Sequence, residues 1–425
     1  MSHPIEALMI GAGGRGMHAY GPYALAHPDE IRMVAVAEPD DDRRARFAAL
    51  HGIPPERQFK TWQDALARPQ LAQAALNCTQ DQMHADSTVA LLEAGYDVLL
   101  EKPMATTLAD CVRLVRVAEA RRRTLQICHV LRFTAFFSAL YDIVNSGRLG
   151  RIITVDHREN VSYWHMSHSF VRGHWRNEGL SSPMILAKCC HDLDILFWII
   201  GQPARRLSSY GALTHYRAEN APAGAPLRCT DGCPVEQTCP WYAPLLYGAV
   251  EGLAPRSEWI ARALDGGDTA QSRREALKTS PYGRCVYHCD NDVVDHQVIL
   301  MDFPGDVTVT FTMHGHSDTE GRTMRWDGAR ATLYGDFSDG RPHELRIHEH
   351  GGAVEVIRPE AGASGHGGGD DGLMRTFVRT LRGEPADHQT TARASLESHL
   401  MAFAAEQSRH SGQTVDMDAF RHLSL

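Results

Sequence analysis

Residues 5–16 read IEALMIGAGGRG, and this stretch decides the fold of the first part of the chain. The apolar run Ile5–Ile10 predicts a buried strand, and a G-x-G-x-x-G pattern follows it directly. Gly11 permits a tight turn, Gly13 lets the backbone approach a pyrophosphate, and Gly16 allows a helix to pack closely on the strand. The helix N-terminus then faces the phosphates. The residues predicted to bind a dinucleotide here are Gly11, Gly13, Gly14, Arg15 and Gly16.

Outward from this turn, apolar runs alternate with helical stretches, as a parallel sheet with crossover helices requires. The predicted strands are Ile5 to Ile10, Met33 to Ala37, Ala74 to Asn77, Asp97 to Leu100 and Thr124 to Cys128. The predicted helices are Met17 to Ala26, Asp41 to His51, Ser87 to Ala94 and Leu108 to Arg122. This order predicts an α/β fold, a doubly wound parallel Rossmann domain, over residues 1–128.

Beyond this domain, residues 129–425 show a different pattern. Strand-like runs without regular helices between them occur at Ile152 to His157, Gln297 to Phe303, Val307 to Thr312 and Leu345 to His350. Gly305 marks a turn between two of these runs and predicts an antiparallel pair. We therefore predict a C-terminal α+β domain with an open, mostly antiparallel sheet, interrupted by a polar insertion at about 220–291.

The overall composition limits the class of protein. Hydrophobic residues make up 43% of the 425 positions, which is enough for a globular core. The formal net charge is −9 and no basic stripe stands out, which argues against nucleic acid or an anionic membrane as a partner. The first residues lack the pattern of a signal peptide, and no apolar run reaches the roughly 20 residues of a membrane-spanning helix. We expect a cytoplasmic protein.

An acidic residue at the end of the second strand indicates which dinucleotide binds. Glu38 stands about where a carboxylate accepts hydrogen bonds from both hydroxyls of the adenosine ribose. A carboxylate there repels a 2′-phosphate, so the sequence favours NAD over NADP. Arg43 and Arg44 could pair with a 2′-phosphate, but they also fit a solvated helix face, which we prefer.

At Glu101-Lys102-Pro103 the chain resembles the Gfo/Idh/MocA family of NAD(P)-dependent oxidoreductases. The other matching segments in the first domain are the glycine turn, Glu38, Asn77 to Asp81, His84 and Ala94 to Val98. Family members often have a proline where this chain has Gln80. The looser matches in the second domain are His129, Arg132-Phe133, Gly147 to Ile152 and His191 to Asp194.

The resemblance implies a Rossmann domain followed by a domain for substrate binding and oligomerisation, with the active site between them. It implies that Thr79, His84, Glu101 and Lys102 contribute to the cofactor site. It further implies a sugar, an inositol or a derivative as substrate, and a homodimer or homotetramer as the assembly.

Two residues are the candidate catalytic groups. By resemblance, Lys102 points at the reacting oxygen, where it can stabilise a developing alkoxide. His191 is the candidate acid/base, because imidazole can take and return a proton near neutral pH. Many relatives have an aspartate four residues before this histidine, where this chain has Ala187 followed by Lys188. Lys188 could therefore enter the site, while Asp194, one turn on, could orient His191 or only position the helix.

Aromatic and histidine residues between Tyr163 and Arg176 fit either a substrate wall or an irregular packed loop, since sugars bind aromatic faces beside a few polar groups. His314, His316 and His366 could equally approach the substrate or sit at strand ends and turns.

Five cysteines fall within the insertion, in the pattern C-x3-C-x5-C followed later by C-x3-C. The segment is rich in polar residues and is expected to have little hydrophobic core, and a thiolate-bound metal could fold it. The predicted ligands of a structural zinc ion are Cys229, Cys233, Cys239 and Cys285, with Cys289 as the spare. An iron–sulfur cluster and unligated thiols are the alternatives.

These features favour an NAD-dependent oxidoreductase that moves a hydride between nicotinamide and a hydroxyl or keto group of a sugar or cyclitol. A redox-neutral enzyme that cleaves glycosides with bound NAD as a transient oxidant is the first alternative. A non-catalytic NAD-binding regulatory protein is the second, and Ala187 gives it some support.

Overall fold

The computed structural model describes residues 3–264, 267–360, 362 and 365–424. Its first sheet has six parallel strands in the order β3-β2-β1-β4-β5-β6, which confirms the doubly wound topology. The strands are β1 Ile5–Ile10, β2 Ile31–Ala37, β3 Gln58–Phe59, β4 Ala74–Asn77, β5 Asp97–Leu100 and β6 Leu125–Ile127. Only β3 is absent from the predicted set, since two residues carry no periodicity. The carboxyl ends of these parallel strands meet at one edge of the sheet.

Helices cover both faces of this sheet. They are α1 Gly21–Ala26, α2 Asp41–His51, α3 Trp62–Leu66, α4 His84–Glu93 and α5 Leu108–Arg121. The predicted helix at Met17 to Ala26 is instead a π-helix, Gly16–Tyr20, followed by α1. Pro22 lacks the N–H that an α-helix needs there, and the N–H of Gly21 donates to the carbonyl of Gly16.

The second sheet has nine strands in the order β14-β13-β12-β11-β7-β10-β9-β8-β15. All neighbours are antiparallel except β7 and β10, which confirms the predicted open, mostly antiparallel sheet. Its strands are β7 Ile152–Ser162, β8 Arg206–Ala212, β9 His296–Phe303, β10 Val307–Ser317, β11 Gly321–Gly328, β12 Ala331–Ser338, β13 Glu344–Glu349, β14 Val354–Ile357 and β15 Val415–Asp416. Gly305 has φ +79° in the predicted turn between β9 and β10.

The remaining helices pack mainly on the inner face of this sheet and in the insertion. They are α6 Ala135–Asn145, α7 Tyr163–His165, α8 Met184–Ala187, α9 Cys190–Ile200, α10 Ala243–Leu246, α11 Glu258–Ala261, α12 Ala270–Thr279, α13 Gly369–Leu381, α14 Ala392–Ser411 and α15 Met417–Ser424. A second π-helix, Met166–Arg172, continues α7. Helix α13 returns to the first domain, where Leu373, Phe377 and Val378 join its core.

The insertion leaves the sheet after β8 and returns at β9. The expectation that it has little core is wrong, because a small apolar cluster forms around Tyr242, Leu246, Tyr247, Ile260 and Leu277. Tyr242, Leu246 and Tyr247 belong to one stretch, whereas Ile260 and Leu277 come from α11 and α12, so no single local pattern reveals the cluster. None of the helices in the described residues is both long and apolar enough to cross a membrane.

Candidate active site

The glycine turn lies at the carboxyl edge of the Rossmann sheet and leaves space for a ligand. Gly11 has φ +84°, and a Cβ atom there would lie 2.5 Å from the carbonyl oxygen of Cys78. A Cβ on Gly16 would lie 2.3 Å from the carbonyl oxygen of Gly11. At Gly13 and Gly14, by contrast, a Cβ would meet no atom within 4 Å. The turn is therefore closed toward the protein and open toward the outside, which fits a pyrophosphate against its backbone N–H groups.

Glu38 follows β2 and stands beside this turn, 3% exposed. Its carboxylate accepts hydrogen bonds from the N–H groups of Ala12, at 2.8 Å, and Asp40, at 3.0 Å. Arg43 Nε lies 3.4 Å from the same carboxylate, and Arg44 donates to the carbonyl of Glu38 at 2.7 Å. Both arginines therefore contact Glu38, Arg43 at its carboxylate and Arg44 at its backbone carbonyl.

Arg15, which the glycine pattern assigns to the cofactor, uses its side chain within the protein. Its guanidinium donates to Glu101 at 2.6 Å, to both oxygens of Asp370 at 2.7 and 3.1 Å, and to Tyr20 at 2.8 Å. Burial acts to raise the pKa of Glu101, but Arg15 and the hydrogen bond from Tyr20 hold it below its usual value. Arg15 therefore connects the glycine turn to Glu101 at the end of β5 and to Asp370 in α13. Its side chain is occupied by these contacts, so the group of Arg15 that is available to a phosphate is the backbone N–H.

Thr79 and His84 form the loop after β4. The Thr79 hydroxyl donates to Asn77 Oδ1 at 2.9 Å. The buried His84 ring lies 2.7 Å from the carbonyl of Pro103 and 3.1 Å from that of Thr79. His84 therefore links the loop after β4 to the loop that carries Lys102, and its contribution to the cofactor site stays a prediction.

Lys102 follows β5 and reaches across to the second domain. Its Nζ atom donates to the backbone carbonyl of Ala187 at 2.9 Å. Because position 187 is alanine, Lys102 meets a backbone carbonyl oxygen there and no carboxylate. An ammonium has three N–H donors, so two stay available for a substrate oxygen.

His191 lies in the first turn of α9, buried, and its Nδ1 atom has no hydrogen-bond partner. Its ring centroid lies 5.7 Å from that of His129 and 6.2 Å from that of His366. Burial lowers the pKa of His191 well below 6.5, and the nearby Lys102 lowers it further. His191 is therefore neutral, and able to accept a proton, at neutral pH.

The two aspartates near His191 do not orient it. Asp194 accepts both hydrogen bonds of the buried Arg132 guanidinium, at 2.6 and 2.7 Å. Asp192 accepts from His157 at 2.8 Å and from Arg322 at 2.7 Å. Each carboxylate neutralises another cation, so Asp194 holds the helix in place.

Beside Ala187 lies a group of charged side chains, of which Lys188 was named from the sequence but its partners were not. Lys188 Nζ lies 3.0 Å from Glu320 and 3.4 Å from the buried Glu159, which also pairs with Arg322. Glu320 accepts from His165 at 2.8 Å. The side chains of Lys188, Glu320 and His165 are 14–17% exposed, so their donors and acceptors are partly accessible. An acidic residue at an inward position of a strand pattern, Glu159, is the signal that could have revealed the group.

The aromatic segment that fits either a substrate wall or a packed loop forms the helices from Tyr163 to Arg176, and His165 within it contacts Glu320. It also contacts the first domain, since Trp175 donates to Asp81 at 2.9 Å. His366 lies beside His191, whereas His314 bonds to Asn160 on the sheet.

The four predicted zinc ligands lie in the insertion, away from this site. Cys229 and Cys285 are buried, Cys233 and Cys239 are half-buried, and all four are free thiols. Among the described residues, Glu178, Glu406 and His410 form the single group of three ligand-type side chains whose donor atoms all lie within 4.8 Å. Zinc binding stays a prediction.

Solved structures share this architecture. An aldose–aldose oxidoreductase from Caulobacter crescentus, complexed with glycerol, is 16% identical, with a TM-score of 0.69 over 97% of this chain and 100% of that one. An inositol dehydrogenase homologue from Azotobacter vinelandii, complexed with NAD+, is 19% identical, with a TM-score of 0.68 over 98% of each chain. Both structures have a fold similar to that of this chain.

In sequence, the inositol 2-dehydrogenase of Leifsonia xyli subsp. xyli is 29% identical to this chain over 209 residues. The aligned region covers 46% of this chain and 54% of that protein. Two family profiles match the chain itself. The profile described as "Oxidoreductase family, NAD-binding Rossmann fold" matches residues 5–129, and that described as "Oxidoreductase family, C-terminal alpha/beta domain" matches residues 142–417. The chain therefore belongs to the Gfo/Idh/MocA family of oxidoreductases, with an NAD-binding Rossmann domain.

Proposed function

We propose that this protein is an NAD-dependent dehydrogenase that interconverts a secondary hydroxyl and a ketone on a sugar, a cyclitol or a sugar derivative. The observation that carries the proposal is the pairing of Lys102, with two N–H donors to spare, and a neutral His191 with an unpartnered Nδ1. Both lie near the carboxyl edge of the Rossmann sheet, where the glycine turn and Glu38 fit NAD. The bound nicotinamide accepts or returns the hydride.

The residues divide the proton chemistry between them. Lys102 donates a hydrogen bond to the substrate oxygen and stabilises negative charge as it develops there. His191 takes the hydroxyl proton during oxidation and returns it during reduction. The glycine turn and Glu38 hold the dinucleotide, and Arg15 fixes the turn through Glu101 and Asp370.

The charged group beside Ala187 supports a polyhydroxylated substrate. Lys188 and His165 offer donors, and Glu320 offers an acceptor, and all three side chains are partly exposed. Several hydroxyls on one ring need such alternating partners, because each unpaired buried hydroxyl costs binding energy. The named ligands of similar proteins, which include inositol and glycerol, have the same chemistry.

The direct test is a panel of sugars, inositols and sugar acids, each mixed with enzyme and NAD+ and followed by the absorbance of NADH. We expect net NADH formation with at least one polyol and its reversal with the matching ketone. A glycoside that is cleaved without NADH accumulation would contradict the proposal and favour redox-neutral cleavage. Absence of turnover in both assays, with NAD still bound, would favour the regulatory alternative.

NAD+ is expected to bind at least about tenfold more tightly than NADP+, because a 2′-phosphate beside Glu38 would place like charges together. Calorimetric titration with both dinucleotides measures the ratio. The variant Glu38→Ala should narrow the gap, whereas Asp42→Ala, an exposed acid on α2, should leave it unchanged. Equal binding of the two dinucleotides by the unaltered protein would contradict the assignment.

The predicted homodimer or homotetramer stays a prediction. The outward face of the nine-stranded sheet supports it, because Tyr210, Leu300 and Tyr334 are exposed there.

A further inference from the structure

The cysteines of the insertion come together from both of its ends. The N–H of Cys229 donates to the carbonyl of Gly283, and the N–H of Cys285 donates to that of Leu227, each at 2.9 Å. The two segments run antiparallel as a short ladder through Arg228 and Arg284. Cys229 and Cys285 are therefore diagonal neighbours on one face of this ladder, although they are far apart in sequence.

The other two thiols stand on an adjoining polar turn. The N–H of Cys239 donates to Val235 at 2.9 Å, and Cys233 and Cys239 border the same apolar cluster as Cys229.

A buried cation beside these thiols has no carboxylate partner. Arg172 is 0% exposed, and its guanidinium donates to the carbonyls of Arg284 and Trp241, each at 2.7 Å, and to Cys229 Sγ at 3.7 Å. Its Nη1 atom makes no hydrogen bond. Within the described residues, no carboxylate oxygen lies within 4.0 Å of Arg172. A buried charge without a counter-charge is strongly destabilising, so an anion at this place is needed.

We propose that Cys229, Cys233, Cys239 and Cys285 bind one zinc ion as thiolates and that Arg172 is the counter-cation of the centre. Four thiols release four protons when they bind, and four thiolates around one divalent ion leave two formal negative charges. The guanidinium at Cys229 offsets one of them. Within the described residues, no three of these four sulfur atoms lie within 4.8 Å of one another, so zinc binding requires the turn that carries Cys233 and Cys239 to move inward.

Cys289 is left out of the set for a structural reason. Its thiol donates to the backbone carbonyl of Cys285 at 3.3 Å, and the next residue, Asp290, is bound by Arg176 and Arg284. This geometry makes Cys289 a matched control for the four ligands.

The centre is connected to His165 through one helical segment. Arg172 ends the π-helix that continues from α7, and α7 carries His165. His168 on the same helix bonds to Tyr247 of the insertion at 2.7 Å and stacks on Tyr282. A zinc centre at Arg172 therefore holds the helix that positions His165 against Glu320.

The experiment is elemental analysis of the full-length protein, purified under reducing conditions from zinc-supplemented medium. We expect about one zinc per chain, retained in Cys289→Ser and largely lost in Cys233→Ser, a half-buried position that tolerates serine. Cadmium replacement should give a thiolate-to-metal charge-transfer absorbance in the unaltered protein and in Cys289→Ser. Metal well below one equivalent, iron with sulfide in place of zinc, or equal zinc in the Cys233 and Cys289 variants would overturn the proposal.

The role of Arg172 has its own measurement. In competition with a coloured chelator, Arg172→Met should bind zinc about 10–100-fold more weakly, the usual effect of losing a residue that supports metal ligands. Arg172→Lys, which keeps the charge, should recover much of the loss. Unchanged affinity in Arg172→Met would overturn the counter-cation role.

Discussion

The variant Lys102→Ala is expected to lose about 10²–10⁴-fold in kcat while its affinity for NAD+ stays within a few-fold of the unaltered protein. The ammonium stands between the two domains, held at one N–H by the carbonyl of Ala187. Its other donors meet the substrate oxygen, where charge develops in the transition state, so the loss falls on the chemical step. Steady-state kinetics on the substrate found by the NADH screen, together with NAD+ titration, measure both quantities.

Two further variants separate this role from simple loss of charge. Lys102→Arg should restore little activity, because a planar guanidinium does not replace a compact ammonium at a single oxygen. Lys278→Ala removes an exposed lysine of α12 that pairs with Glu275, and should leave kcat unchanged. Near-normal turnover in Lys102→Ala would show that the lysine only links the domains.

His191→Asn is expected to lose a comparable factor in the oxidation rate, about 10²–10⁴-fold, together with the acid limb of its pH profile. The imidazole must be neutral to take the hydroxyl proton. Burial lowers the pKa of His191 well below 6.5, and Lys102, His129 and His366 act in the same direction. A lowered pKa means that the neutral form persists as the pH falls, so the acid limb of kcat/KM should lie well below pH 6.5.

The pH profile also tests the absence of a carboxylate next to His191 as the reason for the low pKa of this residue. Asp192 and Asp194 each neutralise another cation, so neither raises the pKa of His191. Installing a carboxylate with Ala187→Asp should move the limb toward neutral pH, because a negative charge favours imidazolium. If His191→Asn kept both its rate and its pH dependence, the proton acceptor would instead be Lys102 or Lys188.

Local rules were enough for the first domain. The glycines of the turn are dictated by steric contacts with atoms a few residues away or on the next strand, and Glu38 and Lys102 follow directly from the ends of apolar runs. The parallel order of the sheet follows from alternating strand and helix periods. The sequence predicted less of the second sheet, since β8, β11, β12, β14 and β15 are absent from the predicted strands. Glycine and charged residues interrupt the alternation of β11 and β12, and β7 runs beyond its predicted end at His157 to Ser162.

What the sequence by itself determined is therefore the Rossmann fold, the glycine and acidic contacts that fit NAD, and the pair Lys102 and His191 as candidates. Only the tertiary structure decided that Lys102 binds the carbonyl of Ala187, that Arg15 pairs with Asp370, and that Lys188 meets Glu159 and Glu320. The physical reason is that turn geometry and side-chain period act over a few residues. The partner of a buried charged side chain, in contrast, depends on which segments the fold brings together, and these segments are far apart in sequence.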